Sequence, residues 1–100
     1  MILNLEKANS VVNATTEVLG VDITSEKRSK RLSDARKMFC HYVYTNSRFT
    51  LDEISEIINK SKSSVFYYIE QHEKNMCDDK GYADTFKHYT QSIQESAKIQ

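Results

Sequence analysis

Apolar residues recur along this chain at spacings of three and four, the period of a helix with one buried face. Leu5, Ala8, Val12, Thr15 and Leu19 form the first such stripe, and Gly20 is a natural stop. A helix over about 3–19 is expected. Val21 and Ile23 anchor the connection that follows. Leu32, Ala35, Phe39, Tyr42 and Val43, with Met38 beside them, predict a long helix over about 30–46. Residues 46–49 read as a loop, with Phe49 turned inward.

Thr50 followed by Glu53 has the spacing of a capping box, in which each side chain bonds the other residue's backbone N–H. Ile54, Ile57 and Ile58 give the short helix behind it a buried side. Asn59-Lys60 is the turn, since asparagine tolerates left-handed backbone better than most residues. Ser61 or Ser63 caps the next helix, whose inward set is Val65, Tyr68, Ile69, His72 and Met76. CDDKG, at 77–81, is a second break. Tyr82, Phe86, Tyr89 and Ile93 predict a last helix over about 82–96. The pattern describes a single all-α domain of about five helices over residues 1–100. At its centre, over about 50–76, lie a short helix, a tight turn and a longer helix.

Composition agrees. The chain holds no proline and two glycines, so little interrupts helix. Six tyrosines and four phenylalanines can fill a core of this size. Cys40 and Cys77 are expected to be free, buried thiols of a reducing cytosol. MILNLEKANS lacks a cationic leader and a long apolar stretch, so no signal peptide is expected. No apolar run approaches the roughly 18 residues that span a bilayer, which leaves a cytoplasmic, membrane-free protein as the expectation.

Charge changes the picture. The formal sum is zero. From Lys27 to Lys62, however, nine basic residues face four acidic ones, so that segment is +5 and the remainder −5. KRSKR at 27–31 sets four cations in five residues. Lys60 and Lys62 flank the start of the longer central helix, where the backbone dipole is already positive. Charge in that unfavourable place suits a polyanion as partner. With Ser61 as cap, the side of this helix away from the core carries Lys62, Ser63, Phe66, Tyr67 and Glu70. Lysine can donate to guanine O6 and N7, and serine can pair with several bases. The N-terminal residues of such a helix are the ones that reach base edges in a major groove. Exposed lysine and serine are also ordinary surface, and a charge run is often only a solvated face.

LGVDI, KRSKR, ARKM, TLDEISEII and SKSSVFYYIE, in that order, resemble the C-terminal DNA-binding domain of the bacterial replication initiator DnaA. The resemblance spans roughly Val11 to Glu95. It implies a fold like that of the Trp repressor and of this initiator domain, around a central helix-turn-helix. Arg28 stands where the family puts an arginine into the minor groove, with Lys30 and Arg31 within alignment error. Arg36 and Lys37 stand where it contacts phosphate. Lys62 falls at the signature histidine, which reads bases, and Ser63 and Ser64 at the signature threonine pair. NKSKSSV is one residue shorter than the signature and lacks its Gly-Gly-Arg-Asp portion, so the initiator's usual box does not carry over. No phosphate-binding loop is present, so initiation itself does not carry over either. A free-standing domain of this kind resembles regulators of phages and mobile elements.

Other constellations carry less. Cys40, His41, His72, Cys77 and His88 match no common zinc spacing, and Cys40 and His72 read as core. No nucleophile–base–acid set and no glycine-rich phosphate loop is present, so the expectation is a binding protein without cofactor or metal, and not an enzyme. The expected partner is double-stranded DNA. Lys27, Arg28, Lys30 and Arg31 would hold the minor groove or backbone. Lys62, Ser63, Ser64 and Tyr67 would meet base edges, and Arg36, Lys37 and Lys60 phosphates. The alternative is a module that reuses the fold to hold a host or partner protein through its acidic ends. A homodimer through the first or last helix is a further option.

Overall fold

A computed structural model describes residues 5–99, all of whose regular structure is helical. The five helices are α1 (Leu5–Leu19), α2 (Lys30–Thr45), α3 (Leu51–Ile58), α4 (Lys62–Asp78) and α5 (Lys80–Ile99). Residues 3 and 4 of the expected first helix, and the start of the segment read for a signal peptide, lie outside the described residues.

Local chemistry fixes the ends of these helices. Gly20 takes φ +71, and its N–H bonds the carbonyl of Thr16, closing α1. Ser29 caps α2 by accepting from the Leu32 N–H at 3.1 Å. Thr50 and Glu53 form the reciprocal capping box of α3, at 3.1 and 2.9 Å. Asn59 ends α3 at φ 55, ψ 48, the left-handed geometry expected of it. Ser61, and not Ser63, caps α4 through the Ser64 N–H. The last break is shorter than the sequence suggests. Only Asp79 separates α4 from α5, because its carboxylate accepts from the Tyr82 N–H at 3.1 Å and starts the new helix at Lys80.

One core joins all five helices. Phe39, Cys40 and Val43 of α2, Ile54 and Ile58 of α3, Val65 of α4 and Tyr89 of α5 are almost fully enclosed. Ala8 and Thr15 bring α1 into the same interior, and Ile23 and Phe49 plug it from the two loops. Thr15 Oγ1 lies 2.8 Å from the Tyr89 hydroxyl, linking α1 to α5. Ile57 is only half-buried, as are Tyr68, Ile69 and Met76, since the short α3 and the rim of α4 border solvent.

The two cysteines part company. Cys40 is buried, as expected, and burial pushes its thiol up to about 12. Cys77 is exposed on the last turn of α4. It falls one position past the half-buried Met76 and turns to solvent, which corrects the expectation of a buried thiol. No described helix is long and apolar enough to cross a membrane.

The pairing of α2 with α4 positions everything that follows. Lys30, at the start of α2, lines a surface recess together with Asp79, at the end of α4. Eleven residues further along α2, His41 stacks on His72, seven residues back along α4, with ring centroids 4.1 Å apart. As one helix rises the other descends, so the pair is antiparallel. The start of α4 therefore sits at the far end of α2, beside the loop that carries Arg48 and Phe49.

Candidate nucleic-acid interface

The start of α4 presents a stripe of unburied side chains. Lys62, Ser63, Phe66, Tyr67 and Glu70 are all exposed, while Val65 and His72 on the opposite side are locked into the core. Phe66 and Tyr67 are each 53% exposed, well beyond what packing asks of a large aromatic. Ser63 makes none of the cap's hydrogen bonds, so its hydroxyl faces solvent. Ser64 differs, because its hydroxyl lies 3.0 Å from that of Ser61 and is half-buried in the cap. Lys62 leans back toward α3, with Nζ 3.6 Å from Asp52 Oδ1. Both partners are exposed, so this ion pair is weak and easily exchanged for another anion. Lys60 is half-buried in the turn.

KRSKR divides its cations between two jobs. Lys27 and Arg28 are exposed at the tip of the α1–α2 loop. Lys30 instead pairs with Asp34 at 2.9 Å, one turn along α2, and that hydrogen bond raises the lysine's pKa. Arg31 donates from Nη2 to the carbonyl of Leu19 at 2.9 Å. It thus satisfies a carbonyl left open at the end of α1, a common use of a cation there.

Arg36 and Lys37, expected on phosphate, are placed otherwise. The Arg36 side chain turns into the molecule, and the residue is 3% exposed. Its Nε donates to the Ile23 carbonyl at 3.1 Å and its Nη2 to that of Ser25. A guanidinium enclosed in this way is out of reach of a phosphate, so Arg36 does not belong with the expected phosphate contacts. Lys37 lies 3.7 Å from Asp34, with its side chain largely covered. Helical periodicity puts Arg36 next to Ala35 on the edge of the apolar stripe, and the sequence alone does not say which way so long a side chain turns.

Arg48 is a cation that site reading from the sequence passed over. It is exposed, and holds φ 58 in the loop between α2 and α3, at the α4 end of the molecule. The signal available was its place in the +5 segment. Phe66 is the second addition, visible in the sequence only as an aromatic on the polar side of its helix.

The groups not locked into the fold therefore form two clusters. One, at the start of α4, contains Lys60, Lys62, Ser63, Phe66 and Tyr67, with Arg48 at the same end. The other is the Lys27–Arg28 loop tip. Arg36 ties that loop to the second turn of α2, which lies opposite the last turns of α4. With 17 residues in α4 and 1.5 Å of rise per residue, the clusters are separated by on the order of 20 Å along the axis of α4. No group of three or more metal-ligating side chains lies together among the described residues.

No protein-family model matches this chain, and no curated protein is found to be related to it by sequence.

Proposed function

We propose that this chain is a small double-stranded DNA-binding protein, a regulator of replication or transcription of the kind carried by phages and mobile elements. The start of α4 enters the major groove, and the Lys27–Arg28 loop takes the adjacent minor groove or its phosphate ridge. The observation that carries this reading is the stripe of Lys62, Ser63, Phe66 and Tyr67. These residues are exposed at the N-terminal end of a helix whose other face is held in the core. The separation of the clusters supports it. One turn of duplex spans about 34 Å, so neighbouring major and minor grooves are about half that apart, close to the distance between stripe and loop. Lysine at Lys62 suits guanine, and an apolar ring at Phe66 suits the thymine methyl, the one apolar group on a major-groove edge. The order of motifs shared with the initiator's DNA-binding domain points the same way.

The test is fluorescence anisotropy with random duplex across a salt series, followed by selection of bound sequences. Four or five free cations near phosphate predict a log–log salt slope of about −4. An absence of binding at about 50 mM salt, or a flat salt series, overturns the reading. Asp52→Asn is expected to tighten binding about threefold at low salt, because it removes a negative charge beside the groove and releases Lys62. Unchanged or weaker binding by this variant places Lys62 away from DNA.

A second reading rests on a specific observation. Asp52, Glu53 and Glu56 give α3 an acidic surface, and Tyr44, Phe66 and Tyr67 are exposed aromatics. Aromatics of this kind are enriched where proteins meet. A partner protein that stays bound after nuclease treatment and competes with DNA favours this reading over the first.

A further inference from the structure

The loop that carries Lys27 and Arg28 is short of the groups that usually hold a loop in place. It contains no glycine, no proline and no strand partner between residues 21 and 29. What fixes it instead is a set of polar contacts on both sides of the tip. Asp22 Oδ1 accepts from the Thr24 N–H at 2.9 Å and from the Thr24 hydroxyl at 2.6 Å. Ser25 Oγ accepts from the Lys27 N–H at 3.1 Å, and Ser29 is engaged as the cap of α2. Ile23 is fully buried as a plug. Between plug and tip, two carbonyls, those of Ile23 and Ser25, turn inward to the enclosed guanidinium of Arg36. No ion pair joins Arg36 to a carboxylate among the described residues. Its buried charge is therefore met by the loop's own backbone. Burying a guanidinium is costly and each of these bonds offsets part of that cost, so the loop and the arginine hold each other in one arrangement.

We infer that Arg36 is the positioning residue of a preorganised two-cation finger, Lys27–Arg28, and acts on a polyanion only through that finger. This deepens the DNA reading. A finger already ordered before contact loses less freedom on binding than a flexible basic tail of the same charge, and so binds more tightly for the same number of cations. A direct phosphate contact by Arg36 also predicts weaker binding when the residue is removed. The two roles separate in a double-mutant cycle, since residues that act as one unit are non-additive.

Two measurements on the full chain test this. In the first, native-state trypsin digestion follows cleavage after Lys27 and Arg28 in Arg36→Met. Cleavage at these bonds is expected to accelerate at least tenfold, while cleavage after Lys74 and Lys80 keeps its wild-type rate. In the second, random duplex at about 100 mM salt is titrated by anisotropy. Arg36→Met is expected to weaken binding five- to tenfold in the wild-type background and less than twofold in Lys27→Ala/Arg28→Ala. Should Arg36→Met fail to fold by circular dichroism, Arg36→Lys replaces it, with the same pattern at smaller amplitude. Unchanged cleavage at the finger overturns the inference. So does an equal loss of affinity in both backgrounds, which would make Arg36 an independent contact. If the wild-type protein binds no duplex, the DNA reading falls, and the digestion alone decides whether Arg36 positions the loop.

Discussion

Acidification from pH 7 to pH 4 is expected to remove about 3 kcal/mol of folding stability through His72 alone. His72 is 1% exposed at the interface of α2, α4 and α5. Its Nδ1 lies 2.6 Å from the Tyr82 hydroxyl, and its ring stacks on His41 and meets Phe86 edge-on at 4.3 Å. Burial keeps the Tyr82 phenol protonated, so the phenol donates to a neutral His72. Burial first, and the neighbouring His41 second, hold His72 down at about 4, against an ordinary value of 6.5. The unfolded chain therefore takes up a proton between pH 6.5 and 4 that the folded chain refuses. The His72 contribution is fully present above the upper limit, falls across this window and is fully lost below the lower one. His41 is lowered in the same direction by burial, with Glu73 opposing, and its Nδ1 is buried without a hydrogen-bond partner among the described residues. Asp22, held below the usual carboxylate range by its hydrogen bonds to Thr24, loses its contribution only as pH falls below about 4. Urea melts at intervals from pH 7 to 4 measure the slope, and His72→Gln should flatten it. Equal slopes in the two proteins would show that His72 is not the group responsible. Domains of this size have about 5–15 kcal/mol of stability in all, so the loss is a large share.

Tyr89→Ala is expected to cost about 4 kcal/mol, the largest effect of any substitution considered. Tyr89 is fully buried, lies edge-on to Tyr42 of α2 at 5.8 Å, and reaches Thr15 of α1 from α5. The Thr15 hydroxyl spends its one hydrogen on the Val11 carbonyl at 2.8 Å, so the Tyr89 hydroxyl is the donor in their contact. Truncation removes ring packing against Tyr42 of α2 and Phe86 of α5 and leaves a cavity where α1, α2 and α5 meet. Tyr89→Phe keeps the ring and should cost only about 1 kcal/mol, the usual net value of one hydrogen bond. Denaturant midpoints for the two variants test the division. Equal losses would mean that the hydroxyl, and not the ring, joins α1 to the rest.

What could be read from the chain followed from how local each feature is. The capping box at Thr50 and Glu53, the left-handed Asn59 and the glycine stop at Gly20 depend on a few neighbouring residues, and all three are present. The all-α fold followed from apolar period and from the scarcity of breakers. Asp79 shows the limit of that reading. CDDKG looked like a loop, yet one aspartate placed three residues before Tyr82 caps a new helix and shortens the break to itself. The cations were harder still. The sequence led to the expectation that Arg28, Arg31 and Arg36 would all contact DNA, the first two at the minor groove or backbone and the third at phosphate, but their surroundings separate them. Arg28 stands at a loop tip, Arg31 meets the open carbonyl of α1, and Arg36 meets two carbonyls of a loop more than ten residues away. Those differences arise only when α2 packs beside the α1–α2 connection, and no periodicity encodes them. The exposure of Phe66 has the same origin, since α3 covers only one side of the start of α4.

The contrast between the two cysteines has a practical consequence. Thiolate is the form that reacts with alkylating reagents, and Cys40 is both enclosed and held protonated. Cys77 stands open on the last turn of α4, roughly 20 Å along the helix axis from Lys62. A maleimide dye should therefore attach once per chain with no engineering. It would sit far enough from the start of α4 to leave that end unobstructed, and near enough to report by energy transfer on any labelled molecule that docks there.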